Sequence, residues 1–135
     1  SSTKNAKAGE AIGGIRRHAY SPAGLESLLE TDDPVFVNMT AAWCITCKVN
    51  ERVALSRKSV EQVFKDQNVH YMKGDWTNYN AEITAYLESY GRSGVPLYIF
   101  YGRSGEKTGE RPDPVVLPQV LTPSIVKNTV LNKTK

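Results

Sequence analysis

The chain has 135 residues, of which 40% are hydrophobic and 23% are charged. These values suit one soluble globular domain with a single core. The net charge of +3 comes from 17 basic and 14 acidic residues. They are scattered along the chain without the dense Lys/Arg stripe of a nucleic-acid surface, so we expect no nucleic-acid partner. No stretch reaches the roughly 18 apolar residues that a membrane span requires.

The opening segment, residues 1–14, is rich in Ser, Lys, Ala and Gly and has almost no large apolar side chains. Such a segment buries too little surface to offset the entropy lost on ordering it. We therefore expect 1–14 to be a flexible linker and 15–135 to form the domain. This opening is compatible with a fragment of a larger protein, so the missing signal peptide does not indicate the compartment.

The rest of the chain alternates between strand and helix patterns. The predicted elements are a strand near 17–20, a helix from Ser21, a buried strand at 34–40, a helix at 44–55, a helix with Val60, Val63 and Phe64 inward, a strand at 69–76, a helix ending at Gly91, a strand at 96–101, an edge strand near 114–117 and a helix from Thr122. Ser21 is a predicted N-cap, and Ser59 and Gln62 form a capping-box pattern. This alternation predicts an α/β fold with a layered sheet.

The two cysteines, Cys44 and Cys47, have C-x-x-C spacing at a predicted strand-to-helix junction. A structural zinc site would need two more ligands, but His18 and His70 lie far apart in the sequence and lack paired spacing. A c-type haem site would need a histidine where Lys48 stands. The readings to weigh are a redox-active pair, which we favour, and two inert buried thiols. We expect no metal.

The redox interpretation has a physical mechanism. The helix dipole and unpaired backbone N–H groups stabilise a thiolate at a helix N-terminus and lower its pKa from about 8.5 to about 7 or below. Cys44 holds that position and is predicted to be the exposed, attacking sulfur. Cys47, one turn further along, is predicted to displace the partner from the mixed disulfide.

Two other side chains are candidates for the proton chemistry of the pair. Glu51 follows Cys47 by four residues, so it is predicted to lie beneath the cysteines, where it relays a proton or raises the thiol pKa. A solvated surface glutamate is the alternative. Asn38 is polar in an otherwise apolar buried strand, and hydrogen bonding within the sheet is its simplest role.

The run V-F-V-N-M-T-A-A-W-C-I-T-C-K and the later Gly94-Val95-Pro96 resemble the thioredoxin superfamily over about residues 15–132. Within it, A-x-W-C-x-x-C-K-x-x-E at 41–51, with 75–77 and 91–96, is similar to the C-terminal periplasmic domain of DsbD-type disulfide reductases, including the ScsB-like branch. The resemblance implies a thioredoxin-like fold, with a central mixed β-sheet flanked by helices. It implies no cofactor beyond the redox-active cysteine pair.

The resemblance also assigns roles around the cysteines. It implies that Val95–Pro96 is a cis peptide facing Cys44, that the Val95 backbone pairs with a partner strand, and that Trp43 borders the docking surface. Asn38 stands where these domains usually have a buried acid. We therefore expect Asn38, together with Lys48, to tune the pKa of the pair, with Cys44 more acidic than in relatives that carry both acids.

The function implied is a relay of electrons. Such domains take electrons from the membrane-embedded domain of their own polypeptide and pass them to its N-terminal periplasmic domain and to periplasmic disulfide proteins. The expected location is the periplasmic side of the bacterial inner membrane, and the expected state is a monomer. Ile45-Thr46 between the cysteines carries no cation, which favours reduction over oxidation. The alternatives are a stand-alone or tethered thioredoxin that reduces substrates such as apocytochrome c directly, and a non-catalytic binding module.

Overall fold

The computed structural model describes residues 11–12 and 14–133. Its strands are β1 (Ala11–Ile12), β2 (Ile15–Ala19), β3 (Val35–Thr40), β4 (His70–Asp75), β5 (Leu97–Tyr101) and β6 (Val115–Val116). They form one sheet in the order β1-β2-β4-β3-β5-β6. Strands β2, β4 and β3 are parallel, whereas β1 is antiparallel to β2, β5 to β3, and β6 to β5. The predicted mixed sheet is confirmed.

Helices cover both faces of this sheet. They are α1 (Pro22–Leu29), α2 (Ile45–Asn50), α3 (Lys58–Asp66), α4 (Ala81–Ser89) and α5 (Pro123–Lys133), and α2 continues into a π-helical turn at Glu51–Leu55. Helices α1 and α4 pack on one face of β3 through Leu25 and Leu87. The π-helical turn, α3 and α5 pack on the other face, where Phe36 meets Phe64 and Val126. The α/β class predicted from the alternation is therefore correct.

Strand β3 is the centre of the molecule and carries the site at its end. All six of its residues are buried, as expected for a strand with helices on both faces. Val35, Val37 and Met39 belong to one core cluster and Phe36 belongs to the other. The chain leaves this buried strand at Thr40 and reaches Cys44 four residues later, so the cysteine pair is connected directly to the core.

The helix starts test the capping predictions. Ser21 accepts a hydrogen bond from the Gly24 N–H at 2.9 Å, which confirms it as an N-cap. The capping box is wrong, because α3 begins at Lys58 and its N-cap, Arg57, makes no side-chain cap bond. The Arg57 carbonyl already accepts from the N–H groups of Val60 and Glu61, which leaves Ser59 inside the first turn.

The linker prediction falls mainly on residues 1–10 and 13, which lie outside the described residues. Within 1–14, Ala11–Ile12 is a short strand that pairs with Ile15 and Arg16 of β2. The extent of the linker therefore stays a prediction for the part before this strand. No helix in the described part of the chain is both long enough and apolar enough to cross a bilayer.

A histidine network joins four segments around the start of strand β4. The Nε2 atom of His18 on β2 lies 3.0 Å from Nδ1 of His70 on β4. The other ring nitrogen of His70 lies 3.0 Å from the Asp33 carboxylate. Arg103 also faces this carboxylate, at 3.6 Å. Burial, with the nearby His70 and Arg16, lowers the pKa of His18 to about 4.

This network predicts acid sensitivity. An unfolded chain protonates His18 near pH 6.5, whereas the folded domain resists protonation down to about pH 4, so the free energy of unfolding falls as the pH drops through this window. We expect a loss of about 1–2 kcal/mol, allowing for the half-exposed ring. Urea unfolding of the wild type and His18→Gln between pH 7 and pH 4.5 measures it. Equal pH slopes for the two proteins would contradict the prediction.

Candidate active site

The two cysteines form a disulfide where α2 begins. Their sulfurs are bonded and their Cα atoms lie 5.3 Å apart. Cys44 is the N-cap of α2, and its sulfur accepts a hydrogen bond from the Cys47 N–H at 3.1 Å. An N–H donor aimed at a sulfur stabilises negative charge on it, so the local fold prepares Cys44 to become a thiolate after reduction.

Exposure separates the roles of the two sulfurs. Cys44 is 7% exposed and Cys47 is 1% exposed. Both cysteines are buried, so the exposed Cys44 that the sequence predicted is wrong for the oxidised domain. Cys44 is nevertheless the more accessible of the two, and its role as the attacking residue, with Cys47 as the resolving residue, stays a prediction.

The residues predicted to border the docking surface lie around the disulfide. The Val95–Pro96 peptide bond is cis, as the resemblance implies. Val95 packs against the cluster of Ala41 and the two cysteines, and Pro96 is buried behind it. Trp43 is 47% exposed. The structure thus brings Val95 next to the cysteines across fifty residues of sequence, and the docking role that the resemblance implies for Trp43, Val95 and Pro96 stays a prediction.

Asn38 is fully buried and bonded within the sheet, which is the simpler of the roles expected for it. Its Nδ2 group donates to the Tyr71 hydroxyl at 2.7 Å. Its Oδ1 atom has no hydrogen-bond partner among the described residues. Burial raises the pKa of Tyr71 to about 12, so this hydroxyl stays neutral at physiological pH. The buried position beneath the redox helix therefore holds an uncharged amide–phenol pair.

Glu51 lies where α2 passes into the π-helical turn. Its carboxylate pairs with Nζ of Lys73 on β4 at 3.3 Å, and its side chain is 34% exposed. Glu51, Lys48 and Lys73 line a cleft of about 630 Å³ that also borders Ala41. Glu51 is thus a partly exposed carboxylate paired with the Lys73 ammonium group. It is neither buried beneath the cysteines nor a fully solvated surface residue, the two alternatives that the sequence suggested.

Lys48 is exposed on α2 and contributes to the same cleft. Its backbone N–H donates to the Cys44 carbonyl at 3.2 Å. The backbone contact belongs to the helix start, so the pKa-tuning role predicted for the Lys48 side chain stays a prediction.

Asn50 is a site residue that the sequence analysis missed. It is 1% exposed, and its Nδ2 group donates to the Tyr98 hydroxyl at 2.8 Å and to the Gln119 carbonyl at 2.7 Å. Its Oδ1 atom accepts from the Leu121 N–H at 3.0 Å. Asn50 thereby joins the redox helix to β5 and to the loop before α5. Its position three residues after Cys47, on the inward face of a helix, was the available signal.

A substitution at Asn38 tests whether the lack of a buried acid at this position makes Cys44 more acidic. Asn38→Asp is expected to raise the pKa of the reduced Cys44 thiol by about one unit, because a buried negative charge, added to the partly exposed carboxylate of Glu51, opposes the thiolate. The ultraviolet absorbance of the thiolate, followed against pH, measures this. Asn128→Asp adds the same charge on the exposed side of α5 and serves as the control. An unchanged or lower thiol pKa in Asn38→Asp would sink the idea.

No group of three His, Cys, Asp or Glu side chains arranged to hold a metal ion occurs in residues 11–12 and 14–133.

Curated relatives with similar sequences are thiol:disulfide interchange proteins named DsbD. The chain is 28% identical to DsbD of Klebsiella pneumoniae over 78 residues, which is 58% of this chain and 13% of that protein. It is 30% identical to DsbD of Campylobacter jejuni over 74 residues, or 55% of this chain and 13% of that protein. The alignments thus span only about one eighth of these relatives.

Solved structures with similar folds include the oxidised C-terminal domain of DsbD from Neisseria meningitidis, with a TM-score of 0.61, 24% identity, and coverage of 84% of this chain and 96% of that one. A thioredoxin mutant from Halobacterium salinarum has a TM-score of 0.62 and 22% identity, covering 94% and 97% of the two chains. These structures support the fold. The family model described as thioredoxin-like matches residues 16–102, a range that contains both cysteines and Pro96, and the chain therefore belongs to the thioredoxin-like family.

Proposed function

We propose that the chain is a thiol–disulfide oxidoreductase domain that relays electrons from a membrane-embedded reductase domain to periplasmic thiol–disulfide proteins. The observation that carries the proposal is the disulfide at the start of α2, with Cys44 more exposed than Cys47. Family membership supports the redox chemistry. Similarity to DsbD proteins supports the relay, the periplasmic location and partners within a DsbD-type polypeptide.

The proposed reaction conserves electrons and protons. The Cys44 thiolate of the reduced domain attacks one sulfur of the partner disulfide, which releases the other partner sulfur as a thiolate. Cys47 then loses its proton and attacks Cys44, which forms the Cys44–Cys47 disulfide and releases the second partner thiolate. Two electrons pass to the partner, and the upstream reductase domain restores the dithiol. Glu51 is the proposed acceptor of the Cys47 proton, because it is a carboxylate four residues further along the same helical segment and lines the cleft beside Ala41.

The direction of electron flow is argued from the residues between the cysteines. Ile45 and Thr46 supply no positive charge that would stabilise the reduced thiolate and make the pair oxidising. Ile45 is also 76% exposed, so it offers the partner an apolar surface instead. We expect a reducing potential. A measured value near −120 mV, typical of a strong oxidant, would reverse the assignment.

The partner is tested by trapping. Cys47→Ser leaves Cys44 able to attack but removes the sulfur that releases the partner, so the mixed disulfide is expected to accumulate in cells. Non-reducing electrophoresis and mass spectrometry identify what is bound. The double variant Cys44→Ser/Cys47→Ser is the control and is expected to trap nothing.

The identity of the trapped protein decides between the candidate functions. A periplasmic thiol–disulfide domain supports the relay. A broad set of substrates, such as apocytochromes, would replace the relay with direct reduction. Absence of any adduct, together with no insulin reduction by the wild type, would leave the non-catalytic binding module.

A further inference from the structure

The segment that follows β4 holds the residues directly before Cys44. The Thr77 hydroxyl donates to the Asp75 carboxylate at 2.5 Å, and the Thr77 N–H donates to the same oxygen at 3.0 Å. The Thr77 hydroxyl oxygen accepts from the Ala42 N–H at 2.8 Å. The Thr77 carbonyl accepts from the Trp43 indole N–H at 3.1 Å. One residue thus contacts both Ala42 and Trp43, and Asp75 sets the direction of its hydroxyl.

This arrangement controls a tight turn next to the disulfide. The Cys44 N–H donates to the Ala41 carbonyl at 3.1 Å, so Ala42 and Trp43 form the middle of the turn. The Trp43 ring lies 5.7 Å from the Tyr79 ring, nearly parallel to it, and 6.0 Å from the Trp76 ring. Trp43 is nevertheless half-exposed, and its indole N–H is bonded to the Thr77 carbonyl. The turn therefore presents an aromatic side chain to solvent in a defined orientation.

The hydrogen bonds at Thr77 form an ordered chain. A hydroxyl that donates to a carboxylate becomes a stronger acceptor, because the charge polarises the O–H bond. An aspartate is charged at physiological pH, and the two bonds from Thr77 lower the pKa of Asp75 further, which favours the hydroxyl turned toward the carboxylate. The Ala42 N–H consequently always meets the acceptor side of Thr77.

We propose that Asp75 and Thr77 are positioning residues for partner docking. They hold the Ala42–Trp43 turn, so that the indole stands beside Cys44 when a protein disulfide approaches. This inference rests on the proposed function and extends it to the recognition of the partner. Asp75 and Thr77 contact the turn and not the sulfurs. They therefore affect the binding of a large partner and leave the intrinsic reactivity of Cys44 unchanged.

The test compares a protein disulfide with a small one. Thr77→Val keeps the shape of the side chain and the carbonyl bond to Trp43 but removes the hydroxyl. We expect the KM for insulin reduction to rise about two- to tenfold, as for the loss of about one hydrogen bond at the surface. The rate with the small disulfide DTNB should stay near the wild-type value. Thr77→Ser restores the hydroxyl and should restore the KM.

Two further measurements separate positioning from a general structural role. Thr84→Val is a matched control, because the Thr84 hydroxyl accepts from the other indole N–H nearby, that of Trp76, at 2.9 Å. It should leave the insulin KM unchanged. Amide exchange of Ala42 should become faster in Thr77→Val and remain slow in Thr84→Val.

Each outcome decides the proposal. A raised insulin KM with unchanged DTNB reactivity and rescue by serine supports it. An unchanged insulin KM in Thr77→Val overturns this inference alone. An equal loss of activity with insulin and with DTNB also overturns this inference alone. A wild-type domain that reduces neither disulfide overturns the proposed function and this inference together.

Discussion

Cys44→Ser is expected to lower the rate of insulin reduction by about a thousandfold or more, since it removes the nucleophile of the reaction. A serine hydroxyl is scarcely ionised at neutral pH and does not attack sulfur. Cys47 cannot take over, because it is only 1% exposed and lies behind Cys44. The measurement is the rate of insulin precipitation in the presence of dithiothreitol.

The control for this loss is a variant with a new serine elsewhere. Ala85→Ser adds a hydroxyl on the exposed side of α4 and should reduce insulin at the wild-type rate. A Cys44→Ser protein that melts like the wild type and still reduces insulin would refute the assignment of Cys44 as the attacking residue.

Asn50→Ala is expected to lower the free energy of unfolding by about 2–4 kcal/mol, because it leaves two buried polar groups and one partly buried carbonyl without their partner. These groups are the Tyr98 hydroxyl, the Gln119 carbonyl and the Leu121 N–H. Burial already raises the pKa of Tyr98 to about 12, which reflects how poorly water reaches this hydroxyl. Urea unfolding of the oxidised domain measures the loss.

Two variants calibrate that loss. Tyr98→Phe removes one of the three bonds and should cost about 1 kcal/mol. Asn128→Ala makes the same change as Asn50→Ala on the exposed side of α5 and should shift stability by less than about 0.5 kcal/mol. A loss below about 1 kcal/mol in Asn50→Ala would show that water replaces the three bonds.

If this loss is found, the redox helix depends on Asn50 for its position as well as on its own backbone. The three bonds join α2 to β5 and to the loop that leads into α5. Hydrogen bonds on two sides therefore position the cysteine pair. Asn50 anchors α2 after the cysteines, and Thr77 anchors the turn before them. A domain that must present one sulfur repeatedly to large partners benefits from such preorganisation.

The sequence predicted several features that depend on short spacing, although the capping box of Ser59 and Gln62 was wrong. Ser21 as a cap and the strand at 34–40 follow from neighbouring side chains, and Cys44 at the start of a helix follows from the change of pattern after that strand. Such features are decided within a few residues, where backbone preference and burial act together. The cis Val95–Pro96 bond came from the resemblance, because an isolated Val-Pro pair carries no such signal.

The sequence also marked Asn38 and Glu51 without determining what they contact. Asn38 was visible as a polar residue in a buried strand, but its partner Tyr71 is 33 residues away. Glu51 was expected beneath the cysteines, whereas its carboxylate pairs with Lys73 across to β4. Strand β4 lies beside β3 only because of the order of strands in the sheet, which helical spacing does not encode.

The two cysteines show which features were predictable from the sequence and which required the tertiary structure. The C-x-x-C spacing and the predicted helix start favoured a redox pair, with Cys44 as the attacking and Cys47 as the resolving sulfur. Only the tertiary structure revealed Thr77 and Asn50, whose contacts reach residues 34 to 71 positions away. Contacts of that range depend on how strands align and how helices pack, so they form only when the whole sheet is assembled. The redox chemistry of the pair could therefore be predicted from neighbouring residues. The residues that orient the pair, Thr77 and Asn50, could not.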